Sequence, residues 1–243
     1  MHAPHLVRPP LVAPPPGVRA PVLLLLHGLG GTEHLMFGLR HHLAPEFVVV
    51  SLQGPVSVAD VPDHFRPGVR FGRHARGWFH THATSTGRRV DPVEARAAWE
   101  LVARAAGEAA AAHGGDPARV VAAGFSHGGM TALAALLTAP EALAGAAVLG
   151  GRLLPEVVPH IAPPERLAGR AVLIAHGTGD PRVPVEEARR ARAHLSALPL
   201  VVTYAEVPAR SHALTAAMRQ QLATWTAAVV GVADRDSRSA TAG

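Results

Sequence analysis

The segment GFSHGG, residues 124 to 129, places a serine and a histidine side by side between glycines. It matches the pattern G-x-S-x-G, in which a serine on a sharp strand-to-helix turn acts as a nucleophile. The apolar run RVVAAG leads into the segment, and the helical pattern GGMTALAALLTAP follows the serine. This context predicts that Ser126 is a nucleophile. The alternative is a serine-glycine turn without chemistry.

A serine hydroxyl is a weak nucleophile until a base accepts its proton, and a carboxylate must hold that base. At this type of turn the three residues follow the chain order serine, acid, histidine. Asp180, in the turn-rich loop HGTGDPRVP, is the only aspartate between Ser126 and residue 233. Of the two histidines that follow it, His194 lies in a predicted helix and His212 comes directly after a predicted strand. Asp180 and His212 are therefore the predicted acid and base.

Two glutamates, Glu156 and Glu206, are alternatives for the acid, although neither lies in a turn-rich loop after a strand. The adjacent His127 is a poor candidate for the base, because neighbouring residues on a sharp turn project in different directions. We predict that His127 acts through its main-chain N–H, as a donor to the oxyanion, and that its imidazole shapes the rim of the pocket.

A second oxyanion donor is predicted in the glycine-rich loop LLHGLGGT, residues 25 to 32, which follows an apolar strand. This position allows the loop to supply the backbone N–H of Leu29. A glycine-rich strand-to-helix turn can also bind a dinucleotide pyrophosphate. This loop lacks the third glycine of that pattern, and no GK[ST] follows it, so both phosphate-binding interpretations are weak.

The candidate residues follow apolar runs that alternate with helical patterns. Runs that are apolar on both faces are typical of parallel strands covered by helices on both sides. The pattern predicts an α/β fold with a mostly parallel, doubly wound sheet, whose ligands bind at the carboxyl ends of the strands. The predicted strands are 21–26, 47–52, 119–124, 145–151, 170–177 and 200–207, and the predicted helices are 33–43, 91–115, 128–138, 184–197 and 213–229.

The chain of 243 residues, 48% hydrophobic and 17% charged, has the size and composition of one globular domain. We predict a proline-rich N-terminal arm over residues 1–19, a single domain over 20–230 and a flexible C-terminal tail over 231–243. The longest apolar run, residues 22–26, is too short to span a membrane, and no signal-peptide pattern begins the sequence. We therefore expect a cytoplasmic protein.

Composition also argues against several kinds of partner. The chain has no cysteine, which excludes disulfides, zinc-thiolate sites and cysteine catalysis. The net charge of +5 does not indicate nucleic-acid binding, because the basic residues are all arginines, dispersed along a chain with 4% aromatic residues. His74, His80 and His82, with His41 and His42, suggest a metal alternative. No third ligand is fixed by spacing, so we predict no metal.

Together, the motifs LLHGLGG, GFSHGGM and HGTGDPRVPV and the histidine of YAEVPARSHAL resemble the phospholipase/carboxylesterase family of α/β-hydrolases. The segment GWF, residues 77 to 79, adds a weaker similarity. This family includes bacterial carboxylesterases and acyl-protein thioesterases, and the resemblance covers most of residues 20–228. The family usually has a glutamine where His127 stands and a glycine where Ser211 stands.

The resemblance implies a serine hydrolase that cleaves small-molecule carboxylic esters or thioesters through an acyl-enzyme. Carried onto this chain, it implies Ser126 as nucleophile, Asp180 as acid, His212 as base, and the main-chain N–H groups of Leu29 and His127 as oxyanion donors. It implies no metal or organic cofactor and little or no lid. The alternatives are a peptidase, a lactone hydrolase and a non-catalytic binding protein on the same scaffold.

Four residues are expected to line the substrate pocket: Gly28, Trp78, Phe79 and Leu153. The aromatic pair is about equally suited to anchor its loop to the core. The proline-containing segment 152–169 is expected to form a shallow flap near the top of the sheet. The sequence leaves the oligomeric state open, with a homodimer as one option.

Overall fold

A seven-stranded sheet lies at the centre of the computed structural model, which describes residues 4–62, 68–84 and 87–232. The order of strands in this sheet is β1-β3-β2-β8-β9-β10-β11. The strands are β1 (His5–Arg8), β2 (Ala20–Leu26), β3 (Val48–Leu52), β4 (Val56–Ser57), β5 (Arg76–Gly77), β6 (Thr81–Thr84), β7 (Gly87–Val90), β8 (Gly115–Phe125), β9 (Gly145–Leu149), β10 (Ala171–Gly177) and β11 (Val201–Val207).

All pairs in the central sheet are parallel except β1 with β3. Because parallel strands end at the same edge, the loops after β2, β8, β10 and β11 meet there. These are the loops in which the sequence places the candidate chemistry. The other four strands form two antiparallel pairs, β4 with β5 and β6 with β7, within the connection 53–90.

Helices cover both faces of the sheet, as the sequence predicts. They are α1 (Glu33–Phe37), α2 (Pro92–Ala112), α3 (His127–Thr138), α4 (Pro164–Leu167), α5 (Val185–Leu195) and α6 (Ala216–Val229), with 3₁₀ turns at Gly38–His41, Pro140–Ala142 and Pro155–His160. The predicted start of α2 is confirmed: the Asp91 carboxylate accepts hydrogen bonds from the N–H groups of Val93 and Glu94, and Pro92 occupies the first turn.

The alternating side chains of β2 show why this strand is apolar on both faces. Leu24 and Leu26 belong to the core on one face, with residues of α2, α3, α4 and α5. Leu23 and Leu25 belong to the core on the other face, with residues of α1 and α6. Each leucine is fully buried. Full burial of one such side chain contributes about 1.5–3 kcal/mol.

The N-terminal arm predicted over residues 1–19 is too long, because His5–Arg8 forms the edge strand of the central sheet. The buried Arg8 guanidinium holds this strand in place by donating to the carbonyl oxygens of Arg40, Ala44 and Phe47 at 2.7, 2.8 and 3.0 Å. Charge-assisted bonds of this kind offset the cost of burying the charge. Residues 1–3 of the arm and 233–243 of the predicted tail lie outside the described residues.

Two further expectations concern the segment 152–169 and membrane-spanning helices. Segment 152–169 mostly packs against the core, with Leu154, Val157 and Leu167 buried, instead of forming a flap. In the part of the chain that the structure describes, no helix has the length and apolarity needed to cross a membrane.

Candidate active site

Ser126 lies at the sharp turn between β8 and α3, at the carboxyl edge of the sheet. Its backbone has φ 52° and ψ −114°, a region that non-glycine residues rarely adopt. Two glycines make this crossing possible: a Cβ on Gly124 would lie 2.2 Å from the carbonyl carbon of Gly128, and one on Gly128 would lie 2.3 Å from the oxygen of Leu26. The Ser126 N–H donates to Leu149 O at 2.7 Å, which ties the turn to β9.

Ser126, His212 and Asp180 are brought together by hydrogen bonds. His212 Nε2 lies 2.8 Å from Ser126 Oγ, and His212 Nδ1 lies 2.6 Å from Asp180 Oδ2. The imidazole and carboxylate side chains are 7% and 3% exposed. Because an ionised carboxylate only accepts, Nδ1 carries the proton of the neutral imidazole and Nε2 is left to accept the serine proton. This arrangement can turn the hydroxyl into a nucleophile.

The acid is fixed by its own loop. Asp180 Oδ1 accepts the N–H groups of Arg182 and Val183 at 2.8 and 3.0 Å, while Oδ2 faces His212. Burial alone would raise the pKa of Asp180, but the hydrogen bonds from His212, Val183 and Arg182 lower it, so the pKa lies below its ordinary value. The carboxylate is therefore ionised and ready to stabilise a positive charge on His212.

His176 was not singled out by the sequence analysis, yet it forms a hydrogen bond to the loop that carries Asp180. The imidazole is fully buried at the end of β10, and Nε2 lies 2.8 Å from the carbonyl oxygen of Val183. Since a carbonyl only accepts, Nε2 is the donor of this bond. Residue 176 thereby fixes the far end of the loop that carries Asp180.

The imidazole of His127, which we predict to shape the rim of the pocket, is almost wholly buried, and residue 127 is among those that line the cavity. Residue 127 is 4% exposed, and its ring lies 3.9 Å from the Phe79 ring, centroid to centroid. The Trp78 N–H donates to His127 Nδ1 at 3.3 Å. The hydroxyl of Ser126 is hydrogen-bonded to His212. The imidazole of His127 instead links the sharp turn after β8 to the connection 53–90.

The glycine-rich loop after β2 is held by His27, which is fully buried. Its Nδ1 lies 2.8 Å from Gly28 O, and its Nε2 accepts the Gly54 N–H at 2.9 Å. Burial lowers the pKa of His27, an effect that the hydrogen bond to Gly28 and the charge of Glu33 only partly oppose. The imidazole is therefore neutral, with its proton on Nδ1, which fits its two partners.

Leu29 and His127, the two predicted oxyanion donors, line the same cavity as Ser126. The turn that carries Leu29 is fixed by Gly30, which has φ +80° and donates to Arg76 O at 2.8 Å. Only glycine adopts this φ without strain. The loop comes close to the serine at Gly28, where a Cβ would lie 3.6 Å from the Ser126 Cβ. The two main-chain N–H groups thus come from the loop after β2 and from the start of α3.

The cavity above Ser126 has a volume of about 140 Å³ and is mostly apolar. Of the predicted pocket residues, Gly28 and Phe79 line it. Trp78 does not: its indole is fully buried and donates to His27 O at 2.8 Å, so it anchors the loop. Leu153 packs against the core, while its neighbour Arg152 lines the cavity. The other apolar lining residues are Leu29, Leu35, Val58, Val61, Pro62, Val90, Phe125, Met130 and Val183.

The histidines considered as metal ligands have other contacts. The His80 N–H donates to Glu94 Oε2 at 2.6 Å, and its Nδ1 lies 3.0 Å from the same carboxylate. His74 Nε2 accepts from the Arg73 side chain at 2.9 Å, and the rings of His80 and His82 are 6.4 Å apart. Within the described ranges, no cluster of three or more His, Cys, Asp or Glu side chains could hold a metal ion.

Two charged residues of the cavity wall, Arg152 and Arg182, were missed by the sequence analysis. Arg152 follows β9 directly after two glycines, and Arg182 lies two residues after the candidate acid. Their positions just after strands, at the edge where ligands bind, were a usable signal. The sequence contains so many dispersed arginines that this signal did not stand out.

The mostly parallel sheet, the helices on both faces and the serine at the turn after β8 define an α/β-hydrolase fold. Comparison with protein families confirms the resemblance seen in the sequence. The model described as phospholipase/carboxylesterase matches residues 9–230, so the chain belongs to this family of hydrolases. No curated protein sequence matches the chain significantly.

Solved structures agree with the family. The carboxylesterase of Bacillus cereus superposes with a TM-score of 0.74 and 25% identity over 94% of this chain and 95% of that one. Acyl-protein thioesterase 2 of Zea mays superposes with a TM-score of 0.69 and 20% identity over 95% of this chain and 100% of that one. A carboxylesterase of Mesorhizobium loti gives 0.68 and 23% identity over 85% and 88%. The protein is thus an enzyme of the phospholipase/carboxylesterase family, and its fold is that of these solved structures.

Proposed function

We propose that this protein cleaves carboxylic esters or thioesters through an acyl-enzyme formed on Ser126, with His212 as base and Asp180 as orienting acid. The observation that carries the proposal is the unbroken hydrogen-bonded path from Asp180 through His212 to Ser126 Oγ, at distances of 2.6 and 2.8 Å. This path ends in a cavity with apolar walls, which suits an acyl chain.

In the first half-reaction, Ser126 Oγ attacks the carbonyl carbon of the substrate while His212 Nε2 accepts the hydroxyl proton. Asp180 stabilises the imidazolium that forms, because its lowered pKa keeps the carboxylate ionised. The main-chain N–H groups of Leu29 and His127 donate to the oxyanion. As the intermediate collapses, the bond to the alcohol or thiol breaks and His212 returns the proton to the leaving atom.

In the second half-reaction, water occupies the position that the leaving group has vacated. His212 Nε2 accepts a proton from this water, whose oxygen attacks the carbonyl carbon of the acyl-Ser126 ester. Collapse of the second tetrahedral intermediate releases the carboxylic acid and returns the proton to Ser126 Oγ. The same three side chains and the same two N–H groups serve both steps, so no cofactor is needed for the balance.

A thioester is the second substrate class in this proposal. It is favoured by the similarity to an acyl-protein thioesterase over nearly the whole chain. The chemistry at Ser126 is the same for both classes, since only the atom that receives the proton from His212 changes. Hydrolysis of 4-nitrophenyl butyrate and of the butyryl thioester of N-acetylcysteamine, measured side by side, gives the preference between them.

The nucleophile is tested by covalent labelling. We expect a fluorophosphonate to label the wild-type protein once, at Ser126 as mapped by peptide mass, and to abolish hydrolysis of 4-nitrophenyl butyrate. Ser126→Ala removes both the labelling and the turnover. Ser196→Ala, at an exposed serine after α5, is the matched control and retains both. Labelling at another serine, or turnover that survives Ser126→Ala, would overturn the proposal.

A further inference from the structure

The aromatic ring of Phe125 packs against the candidate base. Phe125 is the last residue of β8, directly before Ser126, and its main chain pairs with Leu149 of β9. The Phe125 ring lies 4.8 Å from the imidazole of His212, centroid to centroid, and the two planes are inclined by 37°. Two rings lying side by side in one plane could not approach this closely, and the angle is far from perpendicular. The imidazole therefore lies over part of the face of the Phe125 ring.

Two glycines leave the space that this ring occupies. A Cβ on Gly28, in the loop after β2, would lie 3.1 Å from Phe125 Cδ1. A Cβ on Gly150, in the loop after β9, would lie 3.1 Å from Phe125 Cε2. These two carbons are at opposite edges of the ring, and both distances are shorter than an ordinary van der Waals contact. The main chain thus packs closely against the ring at two opposite edges, which fixes where the ring meets His212.

The imidazole of His212 is enclosed by these contacts. Its Nδ1 faces Asp180 Oδ2 at 2.6 Å, and its Nε2 faces Ser126 Oγ at 2.8 Å. Its Cε1 would lie 3.7 Å from a Cβ on Gly150, so the loop after β9 is close to this edge of the ring. The side chain is 7% exposed. Little of any charge that forms on this imidazole can therefore be stabilised by water, and the groups packed against it must do so instead.

A positive charge forms on His212 whenever it accepts the proton of Ser126 or of water. The carboxylate of Asp180 faces this charge at one edge of the imidazole. The Phe125 ring faces it from another side, and the face of an aromatic ring attracts a cation that lies within about 6 Å of the ring centroid. The neutral imidazole has no net charge for the ring face to attract. The ring therefore stabilises the transition state more than the ground state, which is the condition for an effect on rate.

We propose that Phe125 is a positioning residue whose ring stabilises the imidazolium of His212 during both proton transfers. The proposal rests on the proposed function, because it takes His212 as the base for Ser126. Phe125 also lines the cavity, so contact with the substrate is the competing role for its ring. The two roles change different constants. Loss of a contact that is uniform through the reaction raises KM, whereas loss of support for the imidazolium lowers kcat and kcat/KM equally.

The test replaces Phe125 with 4-fluoro-, 3,5-difluoro- and 3,4,5-trifluorophenylalanine, introduced by nonsense suppression. Fluorine withdraws electrons from the face of the ring and leaves its shape nearly unchanged, so the attraction for a cation weakens while the packing is kept. We expect kcat for 4-nitrophenyl butyrate to fall with each added fluorine, to about three- to tenfold below the wild type in the trifluoro variant, with KM unchanged. Phe125→Leu removes the ring and should lower kcat by at least as much.

The matched control carries the same three fluorinated residues at Phe47. This side chain is fully buried and comes directly before β3, at the amino end of the parallel strands, so it lies at the edge of the sheet opposite to Ser126. The Phe47 variants should keep the kcat and KM of the wild type. Urea unfolding of each variant, followed by circular dichroism, checks that all of them are folded under the conditions of the assay.

Three results would overturn the role of Phe125. One is a kcat that stays at the wild-type value in folded fluorinated variants or in Phe125→Leu. Another is a fall in kcat that does not follow the number of fluorine atoms, or that occurs equally at Phe47. The third is a change in KM alone, which would make the ring a wall of the substrate cavity. A failure of the proposed function is distinguishable, because His212→Ala would then retain turnover of the same ester.

Discussion

The two halves of the cavity are built in different ways. The half that holds Ser126, Asp180 and His212 comes from short loops at the ends of adjacent parallel strands. The other half, which includes Val58, Val61, Phe79 and Val90, comes from the connection 53–90, whose described strands pair as two small two-stranded sheets outside the central sheet. Buried hydrogen bonds from Trp78 to His127 and to His27 join this connection to the rest of the domain.

The difference shows how the fold divides the work between its parts. Reacting atoms need positions fixed to a fraction of an ångström, and strand ends within one hydrogen-bonded sheet supply them. An apolar wall needs only shape and hydrophobicity, which a loop held by a few buried anchors supplies. Substitutions on the strand-end half should therefore act mainly on the rate of chemistry, and those on the connection should act on substrate binding.

The largest expected effect is at the base. His212→Ala should lower kcat/KM for 4-nitrophenyl butyrate by about 10⁴-fold or more, because Ser126 loses its proton acceptor. His194→Ala, at an exposed histidine on α5, is the matched control and should leave kcat/KM at the wild-type value. A loss below about a hundredfold at residue 212 would show that another group serves as base.

A much smaller effect is expected at the residue that joins the two halves. His127→Gln keeps the main-chain N–H that we propose as an oxyanion donor, and the glutamine oxygen can accept the Trp78 N–H in place of Nδ1. The kcat/KM should fall by no more than about tenfold. A collapse comparable to that of His212→Ala, measured on the same ester, would mean that the adjacent histidine takes part in proton transfer.

The smallest expected effect is on the free energy of unfolding at acid pH, and it concerns the buried carboxylate of Asp180. The folded-state pKa of Asp180 is lowered, so its contribution to the free energy of unfolding is present above the unfolded pKa of about 4 and is lost as pH falls through the folded pKa. We expect the difference in urea-unfolding free energy between wild type and Asp180→Asn to narrow as pH falls from about 5 to about 2. A difference that stays constant over this range would mean that Asp180 is not stabilised in its ionised form.

The two halves also differ in how well the sequence predicted them. Strands with apolar residues on both faces and helices with clear start and stop residues left little choice of fold, and the predicted elements agree with those of the central sheet. Ser126 stood out through the G-x-S-x-G pattern, Asp180 through its turn-rich loop after a strand, and His212 as a histidine that follows the last strand. The connection 53–90 has no comparable periodicity, so the buried anchor Trp78 and the cavity-lining Phe79 were not distinguished in advance.

Some corrections have the same physical origin. β1 was predicted to be part of the N-terminal arm, because four residues beside prolines show almost no hydrophobic pattern. Its role as an edge strand is seen only in its pairing with β3 and in the hydrogen bonds from Arg8 to three main-chain carbonyl groups. Leu153 was predicted to line the pocket, but its neighbour Arg152 lines it instead. Which of two neighbours faces a cavity depends on the backbone direction after Gly150 and Gly151, which a sequence does not state.

By itself, the sequence determined the fold class, the order of the parallel strands along the chain and the three candidate residues, because periodicity, glycine patterns and chain order are local properties. Only the tertiary structure decided how these residues meet, since the 2.8 Å contact of His212 with Ser126 depends on the pairing of β8 with β9, of β9 with β10 and of β10 with β11. It also decided that the His127 imidazole contacts the Phe79 ring and that two arginines line the cavity. Side-chain direction and burial are set by residues far apart in the chain, and no local pattern records them.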